Sequence, residues 1–118
     1  MAGSRSFKDL VVWQRSMELV REDYRIARAF PKHEDFALGS QMRRCAVSIP
    51  SNISEGSKRG THKDFAQFLR IAAGSSAELE TQLLIAKEEY PQVHFTKALG
   101  LLDEVQRMLT TLTASIHN

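Results

Sequence analysis

The sequence has little of several residue types that mark particular protein classes. Its 118 residues include 6 Gly, 3 Pro and 1 Cys, which excludes collagen-like, proline-rich and disulfide-rich chains. Hydrophobic residues make up 42% and charged residues 25%, as in a folded globular domain. There is no apolar run of about 18 residues and no apolar signal segment near the start, so we expect neither a membrane span nor export. A single cysteine forms no internal disulfide, and we expect a reducing, cytoplasmic location.

The chain also lacks a large excess of charge of either sign. The 16 Lys and Arg stand against 14 Asp and Glu, a net charge of +2, far from the surplus of a protein that wraps nucleic acid. The charges are nevertheless segregated, because residues 1–70 carry a balance of +5 and residues 71–118 a balance of −3. Such segregation can matter for a binding partner. Residues 43–70 contain six basic side chains, which are Arg43, Arg44, Lys58, Arg59, Lys63 and Arg70.

Apolar residues recur at alternating spacings of three and four in four long segments, the pattern of helices that pack in a bundle. In the first segment they begin with Leu10, Trp13 and Met17. Pro31 and Pro91 stand where two of these patterns end, since proline does not continue a helix. No segment alternates with a period of two for long enough to indicate a strand. The pattern predicts one domain over residues 1–118, an all-α antiparallel up-and-down four-helix bundle with helices over about 7–29, 34–57, 62–89 and 94–116.

Helix 2 contains an unusual polar stretch around Pro50. A proline in a helix interior costs about 3 kcal/mol, so we expect helix 2 to be kinked or interrupted near this residue. Asn52 falls on the apolar stripe, where a polar residue can set the register and orientation of a bundle. The alternative interpretation is a kinked site that presents Asn52 and Glu55 to a ligand. We assign a structural polar motif to helices 2 and 3, formed by Ser48, Pro50, Asn52, Glu55, Gly56, Gly74 and Glu78.

Helix 3 has six small residues over 72–77. Glycine and serine weaken a helix, so we expect close packing against helix 2 to compensate around Gly74. If helices 2 and 3 are antiparallel, two arginines of helix 2 come close to two acidic residues of helix 3. This arrangement predicts an ion pair between Arg43 or Arg44 and Glu78 or Glu80.

The connection over residues 56–61 is rich in glycine and basic residues. It lacks the spacing of a nucleotide-binding loop, which has four residues between its glycines and a following Lys-Ser or Lys-Thr. Two interpretations stay open. The segment is either a solvated turn or, with the free N–H groups of helix 3, a phosphate contact through Lys58, Arg59 and Lys63.

Helix 1 carries a second apolar line beside its main stripe. Val12, Leu19 and Ile26 repeat every seven residues, and helix 3 also has apolar residues outside its main line. A helix that is apolar over so wide an arc buries a second side. We therefore assign an oligomer interface to Val12, Leu19, Ile26, Phe30, Phe68 and Ile71. The alternative is a single broad core face with a few exposed aliphatic side chains.

The sequence contains no recognisable catalytic or metal-binding constellation. A di-iron bundle needs Glu-x-x-His on two helices, and no histidine here has a carboxylate three residues before it. Cys45 has no histidine at zinc spacing, and its place on an apolar stripe indicates a buried, unreactive thiol. We expect no metal, no cofactor and no enzymatic activity, and we keep an enzyme of unknown chemistry as a third hypothesis.

Several segments resemble a known family. Residues 9–14 read Asp-Leu-Val-Val-Trp-Gln, and residues 48–56 read Ser-Ile-Pro-Ser-Asn-Ile-Ser-Glu-Gly. Together with residues 41–47, 68–72 and 78–83, they resemble the bacterial 23S rRNA-intervening-sequence proteins, also called the four-helix bundle protein family. The similarity covers nearly the whole chain.

The resemblance implies a small cytosolic bundle without enzymatic activity that assembles into a ring, with a homopentamer as the arrangement known in the family. A related branch, the accessory protein of diversity-generating retroelements, is a strongly basic pentamer that binds nucleic acid and a reverse transcriptase. Our leading hypothesis is a non-enzymatic ring-forming bundle that binds the RNA or DNA backbone. The residues assigned to that contact are Arg43, Arg44, Lys58, Arg59, Lys63 and Arg70. The alternative is an assembly scaffold or adaptor that recruits a protein partner without nucleic acid.

Overall fold

The structure, a computed structural model, describes residues 6–116; residues 1–5 and 117–118 of the predicted domain lie outside this part. Four α-helices account for most of it: α1 (Val11–Arg28), α2 (Leu38–Lys58), α3 (His62–Glu89) and α4 (Thr96–Ile116). Each helix packs on the next one along the chain, and α4 also packs on α1. The described residues contain no strand. The prediction of an all-α up-and-down four-helix bundle is confirmed.

Two short 3-10 helices replace parts of the predicted helices 1 and 2. Phe7–Asp9 forms the first, and the Ser6 hydroxyl caps it by accepting a hydrogen bond from the backbone N–H of Lys8 at 3.1 Å. Leu10 then adopts extended backbone angles, so α1 begins only after it. Lys32–Phe36 forms the second 3-10 helix, which leads into α2. The chain therefore enters α1 and α2 four residues later than the apolar spacing predicts.

The second 3-10 helix, Lys32–Phe36, is fastened to the bundle by several side chains. The Tyr90 hydroxyl donates to the Glu34 carboxylate, and the Tyr90 ring stacks on Phe30 with centroids 4.7 Å apart. Gly39 is buried beside it, and a Cβ at that position would lie 2.8 Å from the Glu34 carbonyl oxygen. Arg43 completes the set, because its guanidinium donates to the Asp35 carbonyl oxygen at 3.0 Å. These contacts hold the connection between α1 and α2 against the C-terminal end of α1 and the N-terminal end of α2.

Helix α2 runs without a break from Leu38 to Lys58, with Pro50 buried inside it. The predicted interruption is therefore wrong, and a bend at this residue stays a prediction. Side chains add hydrogen bonds on both sides of the proline. The Asn52 amide donates to the Ser48 carbonyl oxygen at 2.8 Å and to the Ser48 hydroxyl at 3.0 Å, and the Ser54 hydroxyl donates to the Ser51 carbonyl oxygen at 3.0 Å.

The core takes apolar side chains from all four helices. The second apolar line of α1 belongs to this core, because its four predicted interface residues are at most 6% exposed in the single chain. Their assignment to an oligomer interface is therefore wrong, and the broad core face is correct for α1. A four-helix bundle contacts α1 from two sides, through α2 and α4, and that arrangement uses a wide apolar arc. The buried residues concerned are Val12, Leu19, Ile26 and Phe30.

The two α3 residues assigned to the oligomer interface are more exposed than the four of α1. Phe68 is half-buried, whereas Ile71 is 43% exposed. Ile85, two heptads after Ile71, is 52% exposed. The apolar side chains that the single chain leaves uncovered on this side of α3 are therefore two separate isoleucines, with the exposed Glu78 midway between them.

Candidate nucleic-acid interface

The six basic residues assigned from the sequence do not form one patch. Lys58, Arg59 and Lys63 lie at the α2–α3 turn. Arg44 lies 14 residues before Lys58 on α2, which is about 21 Å along the helix axis. Arg70 lies on the α4 side of α3, where it lines a groove with Leu109 and Thr113 of α4 among its other lining residues. Residues that are close in the sequence over 43–70 therefore do not form a common basic surface. The antiparallel helices α2 and α3 place their side chains at different ends and on different faces of the bundle.

At the α2–α3 turn, Arg59 is already engaged within the protein. Its guanidinium pairs with the Glu55 carboxylate at 2.9 Å and lies over the Phe68 ring, 4.9 Å from the centroid. Lys58 and Lys63 are exposed and do not appear in any ion pair among the described residues. Gly60 makes the turn with φ +91°, a conformation that glycine adopts without strain. The turn therefore offers two free cations.

The polar motif of α2 and α3 joins the two helices. The Ser48 and Ser75 hydroxyl oxygens lie 2.8 Å apart, and Asn52 is held by Ser48. Because Asn52 bonds to Ser48 and Glu55 bonds to Arg59, the two do not converge on a ligand site. The structural interpretation of Asn52 and Glu55 fits this geometry.

The close approach of α2 and α3 lies at Gly56 and not at Gly74. A Cβ at Gly56 would lie 2.6 Å from the Phe68 Cβ, whereas a Cβ at Gly74 would have no atom within 4 Å. Gly74 faces solvent, so the prediction of packing there is wrong. The small residues that do meet α2 or the core are Ala72, Ser75 and Ser76.

The predicted ion pair between α2 and α3 does not form. No salt bridge within residues 6–116 joins Arg43 or Arg44 to Glu78 or Glu80. Arg44 instead donates to the Ser40 hydroxyl at 3.2 Å, on its own helix. Glu80 accepts from Gln106 of α4 at 3.1 Å, because it faces the other neighbour of α3.

Glu78 lies with Arg44 at a cavity of about 230 Å³ between α2 and α3. Cys45 opens onto the same cavity and is only 6% exposed. Burial, with a hydrogen bond to Glu78 as the next cause, raises the pKa of the Cys45 thiol to about 11. The thiol is therefore protonated at neutral pH and weakly nucleophilic.

A different groove, between α1 and α2, gathers arginine, hydroxyl and aromatic side chains. It has a volume of about 400 Å³, and it is lined by Tyr24, Ser40, Arg43, Arg44, Val47 and Ser48. None of these residues is acidic. We call it the α1–α2 groove.

Two further arginines of α1 extend this basic surface. Arg21 and Arg28 are exposed and stand three residues before and four residues after Tyr24, so they share its face of the helix. Two of the three acidic residues of α1 face other partners: Glu18 pairs with Arg15 at 2.7 Å, and Glu22 pairs with Lys97 of α4 at 3.7 Å. The third, Asp23, is buried and lies close enough to Arg43 for the two charges to interact. On the α1–α2 face, Arg21, Arg28 and Arg44 therefore form no ion pair among the described residues, whereas Arg43 lies near the Asp23 carboxylate.

Sequence reasoning missed the contribution of α1 to the basic surface. The signal was present as two arginines seven residues apart with a tyrosine between them, at Arg21, Tyr24 and Arg28. Tyr24 belongs to the apolar a/d stripe, which predicted a core position, but its side chain is 36% exposed. It lies at the edge of the α1–α2 contact, where a stripe residue reaches the surface.

The fold and this site define the class of protein: a four-helix bundle with an arginine-lined groove between its first two helices. Within residues 6–116, no group of three His, Cys, Asp or Glu side chains can hold a metal ion. No described helix is both long and apolar enough to cross a membrane.

The sequence model of the 23S rRNA-intervening sequence protein family matches residues 8–111, and the chain belongs to that family. No curated protein matches the sequence.

Proposed function

We propose that the chain is the non-enzymatic, cytoplasmic protomer of a ring-forming homo-oligomer, a homopentamer, that binds the RNA or DNA backbone through its α1–α2 face. The observation that carries this proposal is the row of arginines on that face with no acidic residue in the groove between them. Guanidinium groups match phosphate oxygens in pairs of parallel hydrogen bonds. The arginines concerned are Arg21, Arg28, Arg43 and Arg44.

The ring part of the proposal is supported by family membership and by apolar surface. Ile71 and Ile85 on α3 are exposed, and a second copy of the chain would cover them. A ring also repeats the arginine face once per protomer. Several weak phosphate contacts then act together on one nucleic acid, which compensates for the small net charge of +2 on each chain.

The test is a titration of the wild-type protein against structured RNA and duplex DNA at low and high salt. Phosphate contacts release counterions, so we expect binding at low salt that weakens steeply as salt rises. The variant Arg28→Gln with Arg44→Gln removes two exposed charges and is expected to lower the affinity by about tenfold and to make the salt dependence shallower.

The matched control is Arg107→Gln. Arg107 is an exposed arginine on α4 that pairs with Asp103 at 3.0 Å, away from the proposed face. Its replacement removes one positive charge, half of the change made by the double variant, and is expected to leave the affinity within about twofold of wild type. If the wild-type protein binds neither nucleic acid at low salt, the nucleic-acid proposal is wrong.

A second candidate function, a scaffold that recruits a protein, is favoured by one observation. Phe36 is 95% exposed at the end of the 3-10 helix Lys32–Phe36, and that helix is held in place by the Arg43 hydrogen bond to Asp35. An aromatic ring presented on a fixed segment is typical of a protein contact. A protein that stays bound at fixed stoichiometry after nuclease treatment, and is lost with Phe36→Ser, would support this function in place of nucleic-acid binding.

A further inference from the structure

We propose that the α1–α2 groove binds an unpaired nucleotide of single-stranded nucleic acid, with the base stacked on the Tyr24 ring and the phosphate held by arginine. The proposal rests on the nucleic-acid function proposed above, because it names the class of nucleic acid that the same face selects. It adds a residue, Tyr24, that contributes no charge and therefore has no part in backbone attraction.

The groove has the size and lining of a site for a small planar group. Its volume of about 400 Å³ falls in the range of roughly 300–1,000 Å³ common for small-ligand pockets. Tyr24 of α1 and Val47 of α2 face it with 36% and 39% of their surface exposed. They form apolar walls on opposite sides of the helix–helix junction, and a nucleobase is apolar on both faces.

The Tyr24 ring is free to accept a partner. Within residues 6–116 the close aromatic pairs are Phe7 with Trp13 and Phe30 with Tyr90, and neither uses Tyr24. The Tyr24 hydroxyl makes no hydrogen bond to another described residue. Stacking of a base on such a ring does not depend on base identity, since every base has a flat π face.

Polar groups surround these apolar walls in the arrangement that a nucleotide requires. Arg44 reaches the groove from the outer face of α2 and is fixed there by the Ser40 hydroxyl at 3.2 Å. Arg43 enters beside it with its guanidinium held at the Asp35 carbonyl oxygen. Arg21 and Arg28 stand seven residues apart on α1, or about 10 Å along the axis. An arginine of α2 can therefore bind the phosphate of the nucleotide in the groove. The arginines of α1 can bind the phosphates of the preceding and following nucleotides.

A duplex cannot use the groove in this way. Its bases are paired and stacked inside the helix, and only their edges are open to a protein. A duplex would still be attracted by the arginines through its phosphates, but it would gain nothing from Tyr24. We therefore expect the wild-type protein to prefer a single strand to a duplex of the same sequence.

The experiment compares three proteins by fluorescence anisotropy: wild type, Tyr24→Leu and Tyr24→Phe. Each is titrated against a labelled 12-nucleotide single-stranded RNA and against the same RNA annealed to its complement, at one low salt concentration. Tyr24→Leu is expected to lower the affinity for the single strand by about tenfold or more and to leave the duplex affinity within about twofold. Tyr24→Phe keeps the ring and is expected to retain the single-strand affinity. The thermal unfolding midpoint of each variant is measured alongside, to show that the bundle is intact.

The outcomes separate this inference from the function on which it rests. If Tyr24→Leu weakens both nucleic acids equally or neither of them, while Arg28→Gln with Arg44→Gln weakens both, the inference is overturned and backbone binding stands. If the wild-type protein binds neither RNA form, both proposals fall. Competition by polyglutamate at the same charge concentration, as effective as unlabelled single-stranded RNA, would overturn the nucleotide site in favour of an acidic peptide.

Discussion

Asp23 lies on the core-facing side of α1 with its side chain 0% exposed, and neither carboxylate oxygen has a hydrogen-bond partner among the described residues. Burial raises the pKa of this carboxyl to about 7, while the positive charge of Arg43 on α2 lowers it to a lesser extent. A buried carboxylate without partners is costly to ionise. At the scale of single residues, Asp23 therefore ties the stability of the bundle to pH.

The direction of that dependence follows from the two pKa values. The folded-state pKa of about 7 lies above the ordinary aspartate pKa of 3.8, so the folded protein holds the proton more tightly than the unfolded chain does. The stabilisation is complete below about pH 4 and is lost as the pH rises towards 7. About three pKa units correspond to a loss on the order of 4 kcal/mol.

Replacement of Asp23 by Asn tests this linkage, because the amide resembles the protonated acid and does not ionise. We expect the variant to be more stable than wild type at pH 8, by up to about 4 kcal/mol, and to differ little at pH 4. Urea unfolding followed by circular dichroism at pH 4, 6 and 8 gives the free energies. Parallel pH profiles for the two proteins would contradict the role assigned to Asp23.

At the scale of the helices, the contact between α2 and α3 depends on a single glycine. The missing side chain of Gly56 makes room for Phe68, whose Cβ would lie 2.6 Å from an added methyl group. The Phe68 Cβ is attached directly to the α3 backbone, so it moves only if the helix moves. This contact also sets the position of Arg59, which lies over the Phe68 ring.

We expect Gly56→Ala to destabilise the bundle by about 1–3 kcal/mol through overpacking. Gly74→Ala is the matched control, since it lies on exposed α3 surface with no atom within 4 Å of the added Cβ. There the alanine is expected to stabilise the helix by up to about 1 kcal/mol. Urea unfolding of the two variants gives both values, and a stabilising Gly56→Ala would show that α2 and α3 do not approach as described.

The helices themselves were predictable because each depends on local spacing. Apolar residues at alternating spacings of three and four identify a helix and one of its faces. The cap of α3 is equally local, because the Thr61 hydroxyl accepts a hydrogen bond from the backbone N–H of Asp64 at 3.1 Å. The continuity of α2 through Pro50 was not predictable. The cost of a proline is local, whereas the packing that offsets it comes from neighbouring helices.

The candidate site depends on which faces of different helices meet, and one sequence without structure does not contain that information. Arg43 and Arg44 were identified from charge, but Tyr24, which lines the same groove, and the arginines beside it on α1 lie some twenty residues away in the chain. From the sequence, the second apolar line of α1 could belong either to the core or to an oligomer interface. Only the position of α4 beside α1 decides between them.

At the scale of the whole molecule, α4 packs against α1. Leu19 and Ile26 of α1 are therefore buried in the core of the bundle. Large apolar side chains are exposed on α3 and also at Val11, Phe36 and Val47, and the interface that we expect is the one on α3. Ile71 and Ile85 stand fourteen residues apart on one line and are 43% and 52% exposed. Glu78 stands midway between them and lines the cavity between α2 and α3 with Arg44 and Ser48, so an interface through this line would adjoin the α2 side of the α1–α2 groove.

Light scattering coupled to size exclusion measures the assembly directly. For a protomer of 13.3 kDa we expect a pentamer of about 67 kDa. The variant Ile71→Glu with Ile85→Glu places two like charges in the interface and is expected to dissociate the ring, because burying unpaired carboxylates in each contact is costly. Both positions are exposed in the single chain, so the helical circular dichroism of the variant is expected to stay unchanged.

Leu84→Glu is the control for that experiment, since Leu84 is also an exposed apolar residue of α3 but lies about 100° around the helix from Ile85. It is expected to remain pentameric. A wild-type protein that is monomeric at micromolar concentration would disprove the ring, whereas dissociation by Leu84→Glu alone would move the interface to the other side of α3.

Because the avidity for nucleic acid is expected to come from repeated arginine faces, the dissociated double variant should also bind RNA more weakly than the pentamer while keeping its preference for a single strand.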